Sequence, residues 1–166
     1  MAEGYFVNLL ILVLCLALSA FFSSSETAFF SLQKTARLTH LVSTGSPRAI
    51  RVARMLEQPE RLLSTILLGN NLVNVGFAAL VTVLAVSLLG HDNEAIAVMI
   101  ATGVGTVVLL IVGEVMPKTL AVRHAEHIAF IYVRPLKWIE YLLLPFVIVL
   151  QRIGRVSTLG RGNDET

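Results

Sequence analysis

The chain has 166 residues, of which 55% are hydrophobic and 14% charged, and its mean hydropathy is +0.78. That composition is typical of an integral membrane protein and excludes an ordinary soluble domain. The net charge is only +2 at pH 7. Because the basic residues are sorted by membrane side, as described below, this charge reflects orientation in the membrane, and no nucleic-acid partner is expected.

Three segments lack charged residues for long enough to cross a hydrocarbon core of about 30 Å, which takes about 20 residues. They are residues 4–25, 62–90 and 95–113. With their flanks they predict spans at about 4–30, 60–90 and 95–118. A cleaved signal peptide is not expected for the first, because no Lys or Arg precedes it and no small-residue cleavage site follows its apolar core.

The basic residues fall into two groups, one between spans one and two and one after span three. By the positive-inside rule, this places the N-terminus outside and the C-terminus in the cytoplasm. The predicted localisation is a multi-pass protein of the plasma (inner) membrane. The 13 residues are Lys34, Arg37, Arg48, Arg51, Arg54 and Arg61 in the first group, and Lys118, Arg123, Arg134, Lys137, Arg152, Arg155 and Arg161 in the second.

Span one ends in the polar run Ser-Ser-Ser-Glu-Thr at 23–27, after which apolar residues resume. Ser23 and Glu26 have the spacing of a capping box, which predicts a break in the helix at the serines. A break at membrane depth exposes carbonyl oxygens beside the hydroxyls of Ser24 and Ser25, and these are neutral ligands for a cation. The alternative is that the serines bond back to their own helix.

The segment at about 33–58 is too charged to span and is predicted to lie on the cytoplasmic surface as a juxtamembrane helix. Ser46 followed by Pro47 is a good helix start, and Pro59 is a stop.

Span two carries Gly-Asn-Asn-Leu-Val-Asn at 69–74. Asn70 and Asn74 are four residues apart and share a helical face, whereas Asn71 is turned by about 100°. Amides in hydrocarbon need partners, so the candidates are hydrogen bonds between helices or an ion site.

Span three has small residues at intervals of four, Ala97, Ala101 and Gly105. Such a row lets helices pack closely, either within one protomer or between two copies.

The end of span three combines a carboxylate with a proline. Glu114 is a charge at the end of an apolar run, which usually marks function. Pro117 has no N–H for the carbonyl of Gly113, so that oxygen is freed beside the carboxylate. Carboxylate and carbonyl oxygens are the ligands that Mg²⁺, Ca²⁺ and Na⁺ prefer. The structural alternative is a kinked helix in which Lys118 pairs with Glu114.

The last apolar segment, at about 126–154, contains charges and the aromatic residues Trp138 and Tyr141, and it predicts an amphipathic juxtamembrane helix. Residues 1–156 therefore form one transmembrane domain, and residues 157–166 are predicted to be a linker.

Two other chemistries are not expected. The single Cys15 has no partner for a disulfide within the chain. An intramembrane serine hydrolase needs a base, and the four histidines, His40, His91, His124 and His127, all lie outside the spans. The chain is not expected to be an enzyme.

The three motifs Ser-Ser-Ser-Glu-Thr-Ala at 23–28, Gly-Asn-Asn-Leu-Val-Asn at 69–74 and Gly-Glu-Val-Met-Pro-Lys at 113–118 resemble those of the CorC and cyclin M (CNNM) transmembrane domain. The resemblance covers essentially the whole chain. It implies an all-α membrane fold, with three transmembrane helices per protomer of a homodimer, amphipathic juxtamembrane helices and an ion site at broken helices. It also implies that cytosolic CBS domains follow residue 166.

The family is associated with Mg²⁺ transport, chiefly efflux coupled to Na⁺ entry, so the implied ions are Mg²⁺ as cargo and Na⁺ as coupling ion. Carried over to this chain, the implied ligands are Ser24, Ser25, Asn70, Asn74, Gly113 and Glu114. Six neighbours in the same motifs form a second set of candidates: Ser23, Glu26, Gly69, Asn71, Pro117 and Lys118. The rival hypothesis is a membrane dimerisation or sensor module that anchors a cytosolic domain and transports nothing.

Overall fold

The computed structural model describes residues 2–89 and 94–159, and every regular element in these ranges is helical. All-α architecture is therefore confirmed. The helices are α1 (Ala2–Leu32), α2 (Ala36–Ser43), α3 (Pro47–Leu56), α4 (Pro59–Leu89), α5 (Glu94–Val108), a π-helical segment (Leu109–Val115), α6 (Met116–Arg123) and α7 (Ala125–Leu159).

Three helical stretches are long and apolar enough to cross a membrane: Gly4–Leu32, Pro59–Leu88 and Glu94–Arg123. They coincide with the three predicted spans, and the third is built from α5, the π-helical segment and α6. The three spans pack against one another, with α1 contacting both α4 and the second half of span three.

The predicted break in span one is wrong. Helix α1 runs through Ser23–Ser25 without interruption. The hydroxyl of Ser24 donates to the carbonyl of Ala20 at 2.6 Å, and that of Ser25 to Phe21 at 2.7 Å. Because these side chains bond to the preceding turn, they are satisfied inside a continuous helix and cap nothing.

The irregular helix lies in span three instead. Residues Leu109–Val115 form a π-helical segment, in which the N–H of Met116 bonds to the carbonyl of Ile111, five residues back. Such segments occur frequently at functional sites. This one ends just before Pro117, which cannot contribute an N–H to either an α-helical or a π-helical bond.

The segment predicted as one juxtamembrane helix at 33–58 is two helices joined by a tight turn. Gly45 has φ +80°, and the N–H groups of Gly45 and Ser46 bond to the carbonyls of Val42 and Leu41 at 3.0 Å each. This is the Schellman motif that ends a helix, and Gly suits it because it has no Cβ to strain at positive φ. Helix α3 then begins at Pro47, as predicted, and Pro59 opens α4 rather than only ending α3.

Helix α7 packs across α1, α3 and α4 and carries buried Ala129, Val133 and Leu136. Glu140 on α7 forms an ion pair with Arg61 at the start of α4. The helix tolerates Pro135 and Pro145 and continues to Leu159, so the first three residues of the predicted linker are helical. The rest of that linker lies outside the described residues.

Helix α5 packs on α4 through its small residues. Ala97 and Gly105 are buried, and a Cβ added at Gly105 would lie 3.0 Å from Cγ1 of Val81. The small-residue row thus serves helix packing within the chain at these two positions.

Candidate functional site

The polar residues of the three spans meet around the hydroxyl of Ser19, on α1. This side chain is fully buried. Its Oγ donates to Oδ1 of Asn74 at 2.8 Å and lies 3.4 Å from Oδ1 of Asn70 and 3.5 Å from the carbonyl oxygen of Gly113. One hydroxyl proton is therefore shared among three acceptor oxygens, contributed by α4 and the π-helical segment.

The carboxylate of Glu114 joins the same cluster. Nδ2 of Asn74 donates to Oε1 of Glu114 at 3.1 Å, while its Oδ1 accepts from Ser19. Asn74 thus links the serine of span one to the carboxylate of span three. The amide orientation matches the donors and acceptors on both sides of Asn74.

Two glycines let the helices approach this closely. At Gly113 an added Cβ would lie 2.9 Å from Oγ of Ser19, so a larger residue would displace the hydroxyl from the cluster. At Gly69 an added Cβ would lie 2.4 Å from Cζ of Phe22, because the buried ring of Phe22 packs directly on the α4 backbone there. Both positions lie next to a residue that takes part in the polar cluster, Glu114 and Asn70 respectively.

Ser23 lies one helical turn after Ser19 and is also buried. In the part of the chain that the structure describes, its Oγ has no hydrogen-bond partner. A buried hydroxyl without a partner is costly, and such groups in a native structure call for an explanation such as a bound ion or water. The i, i+4 spacing places Ser19 and Ser23 on the same face of α1.

Glu26 and Lys118 form an ion pair one further turn along. Nζ of Lys118 lies 3.1 Å from Oε2 of Glu26. Glu26 is therefore not a helix cap. The structural alternative, in which Lys118 pairs with Glu114, is wrong, because Lys118 pairs with Glu26 on α1. The lysine neutralises Glu26, which leaves Glu114 as the carboxylate of the polar cluster.

Of the predicted ligands, the structure brings Asn70, Asn74, Gly113 and Glu114 together. Asn71 is exposed on the outer side of α4. Ser24 and Ser25 are buried but bonded to their own helix, whereas the hydroxyl of Ser23 has no hydrogen-bond partner in the described part of the chain. Gly69 and Pro117 contribute through the backbone, by close packing and by the missing N–H respectively.

Sequence reasoning missed Ser19, which lies at the centre of the cluster. A signal was available, because Ser19 precedes Ser23 by four residues and thus extends the serine face of α1 by one turn.

The arrangement offers one carboxylate among neutral oxygens. No group of three or more His, Cys, Asp or Glu side chains comes together within residues 2–89 and 94–159. Soft or strongly acidic metal sites are therefore not formed by these residues, and the donor set suits a hard cation bound by oxygens.

The fold and the polar cluster define an all-α membrane protein with three candidate spans and hydrogen-bonded oxygens between them. The family described as the cyclin M transmembrane N-terminal domain matches residues 10–166. The chain belongs to this CNNM family.

Curated relatives agree with this assignment. A UPF0053 protein of Haemophilus influenzae is 46% identical over 121 residues, which cover 73% of this chain and 28% of the relative. The UPF0053 inner membrane protein YfjD of Escherichia coli is 40% identical over 139 residues, covering 84% and 31%. A chloroplastic DUF21 domain-containing protein of Arabidopsis thaliana is 39% identical over 150 residues, covering 90% and 21%. The chain thus spans about a fifth to a third of the length of these relatives.

The first prediction concerns the two kinds of serine. If a hard cation such as Mg²⁺ binds this cluster, Ser19→Ala should weaken its binding by about tenfold, the loss of roughly one hydrogen bond, because it removes the hydroxyl that orients Asn74 and contacts Asn70 and Gly113. Ser25→Ala should change binding less than twofold, because that hydroxyl donates to the carbonyl of Phe21 in its own helix. Isothermal titration on both variants measures this difference. A larger loss of binding for Ser25→Ala would show that the site does not lie on the face of α1 that carries Ser19.

Proposed function

We propose that this domain binds Mg²⁺ in the cluster around Ser19 and moves it across the membrane, as Mg²⁺ efflux coupled to Na⁺ entry. The observation that carries the proposal is the surplus of acceptor oxygens. Asn70 Oδ1, Asn74 Oδ1 and the Gly113 carbonyl all face the single proton of Ser19. A cation placed among them would satisfy lone pairs that the hydroxyl cannot.

The charge of the cluster supports a hard cation that retains some water. Mg²⁺ usually keeps several waters and binds through one or two carboxylates, and Glu114 supplies one. The same single charge suits Na⁺, so both ions can use the cluster in turn. The hydroxyl of Ser23, buried and without a hydrogen-bond partner among the described residues, lies on the same helix face as Ser19 and is a further ligand, directly or through water.

The location of the cluster within the spans supports the proposal of transport. A doubly charged ion crosses hydrocarbon only where oxygen ligands replace its hydration shell. All three spans contribute oxygen atoms to the cluster. Movement of the spans relative to one another would therefore separate these oxygens and open the site. The predicted orientation, with the C-terminus in the cytoplasm of an inner-membrane protein, makes the Glu26–Lys118 pair the cytoplasmic neighbour of the cluster.

Flux through liposomes tests transport. Mg²⁺ should leave or enter vesicles containing the protein, faster with an opposing Na⁺ gradient, and the flux should fall to that of empty vesicles with Glu114→Ala. The assay is run on this domain and on a longer chain that includes the cytosolic domains that the family resemblance implies. If both bind Mg²⁺ and neither moves it under any Na⁺ gradient, the sensor or dimerisation hypothesis replaces transport.

A further inference from the structure

A basic cavity lies between α3 and α7, away from the polar cluster. It has a volume of about 380 Å³ and is lined by Arg51 and Arg54 of α3 and by Arg134 and Lys137 of α7, with Trp138 and Tyr141 beside them. This volume is within the range of small-molecule sites, about 300–1,000 Å³.

Among the described residues, no carboxylate forms an ion pair with any of the four basic side chains. Throughout residues 2–89 and 94–159, carboxylates pair with Arg37, Arg61 and Lys118, and none pairs with these four. Glu140, the acidic residue that follows on α7, is already held by Arg61. Four like charges around one concavity repel one another, and an anion in the cavity would relieve that repulsion.

Orientation in the membrane does not by itself explain this arrangement. The positive-inside rule requires basic residues on one side of the bilayer but not around a shared cavity. Here two helices that are far apart in sequence each present an i, i+3 pair of basic residues to the same space. The pairs are held in register by the packing of α3 on α7, through buried residues such as Val52 and Val133.

The cavity opens beside an apolar surface. Trp138 and Leu142 on α7 are 78% and 75% exposed, and Phe146 one turn further is 63% exposed. Leu142 and Phe146 continue the helix face on which Trp138 lines the cavity. Trp and Tyr are enriched where a membrane meets water, with the apolar residues in contact with acyl chains. A ligand here therefore meets positive charge at one end and hydrocarbon at the other.

We propose that this cavity binds the headgroup of an anionic phospholipid, with its phosphate between Arg51, Arg54 and Arg134 and its acyl chains along Trp138, Leu142 and Phe146. Arginine recognises phosphate through two parallel hydrogen bonds, and basic pockets at membrane helices are known to hold anionic headgroups. Lys137, whose Nζ lies 5.8 Å from the centre of the Tyr141 ring, contributes a further charge at the aromatic edge. A lipid bound there would contact both α3 and α7 and so hold these two helices together beside the spans.

Native mass spectrometry on detergent-solubilised protein tests the proposal with single lipids. Phosphatidylglycerol should be retained, and phosphatidylcholine, which has the same phosphate but no net charge, should be lost. The double variant Arg51→Gln and Arg134→Gln should bind phosphatidylglycerol about 25-fold more weakly, about fivefold for each basic residue removed. Lys137→Gln alone should weaken it about fivefold, and serves if the double variant does not fold.

The matched control removes the same charge elsewhere. Arg48 and Arg123 are exposed and do not line the cavity. Arg48→Gln with Arg123→Gln should leave retention within twofold of the parent, and an equal loss in this control would reduce the effect to general electrostatics and overturn the site. Equal retention of phosphatidylcholine would also overturn it. If glycerol phosphate displaces the lipid at equal concentration, the ligand is a soluble phosphate and the lipid assignment fails.

Discussion

If Mg²⁺ binds the cluster as proposed, Glu114→Gln should keep the fold but lose the stabilisation that the ion gives the parent. A ligand that binds only the folded state stabilises it by about 2.7 kcal/mol at 100 times its dissociation constant. The glutamine amide can still accept from Nδ2 of Asn74, so the contact at 3.1 Å survives. What disappears is the negative charge that a hard cation requires. The measurement is the melting temperature with and without Mg²⁺.

Glu126→Gln is the control for this experiment. Glu126 pairs with Arg37 at 3.0 Å at an exposed position on α7, away from the cluster. This variant should retain the full Mg²⁺-dependent shift. A shift that survives in Glu114→Gln, or one that disappears equally in both variants, would remove Glu114 from the cation site.

The packing of α1 on α4 gives a second large effect. Gly69→Ala should destabilise the domain by about 1–3 kcal/mol, the usual cost of overpacking a well-filled contact. Its Cβ would lie 2.4 Å from Cζ of the buried ring of Phe22, so either the ring or the two helices must shift. Because Asn70 is the next residue, we also expect weaker Mg²⁺ binding. Unfolding in a denaturant series measures the first effect and calorimetric titration the second.

Gly76→Ala is the matched control for Gly69→Ala. It lies two turns further on the same helix, and its added Cβ would lie 4.0 Å from Sγ of Cys15, an ordinary contact. It should therefore be tolerated. Combining Gly69→Ala with Phe22→Leu should recover part of the lost stability, since the ring of Phe22 is the group with which the added Cβ would clash. Additive losses in the double variant would mean that the Phe22 contact is not the cause.

The spans were predictable because the hydrocarbon core strongly restricts which sequences can cross it, and this restriction can be read along the chain without knowing the tertiary structure. A helix must satisfy its own backbone in hydrocarbon, so a run of about 20 uncharged residues has one common outcome. The face shared by Asn70 and Asn74 followed from helical geometry alone. Contact between the serine, asparagine and glutamate motifs was expected from the same reasoning and from the family resemblance, and the structure brings Asn70, Asn74, Gly113 and Glu114 together.

The errors arose where local signals compete with a helix that its surroundings stabilise. Ser23 and Glu26 fit a capping box, yet capping would leave backbone groups unpaired in hydrocarbon, and the continuous helix avoids that cost. The bonding of each serine then depends on its position around α1. Ser19 faces the polar cluster, whereas Ser24 and Ser25 bond to carbonyls of their own helix. The partner of Lys118 was not readable either, because Glu26 is 92 positions away in sequence and adjacent only after the helices pack.

The π-helical segment changes the rotational phase of span three. In a π-helical segment each N–H bonds to the carbonyl five residues back instead of four, which has the effect of inserting one residue into an α-helix. One residue of an α-helix corresponds to about 100° of rotation. Side chains before Leu109 and those after Val115 therefore follow two different angular series around one axis. This phase step lets α5 direct Ala97 and Gly105 at α4 while α6 directs Lys118 at Glu26. Removing one residue from the segment would return both halves to one series, and α6 would turn its lysine away from α1.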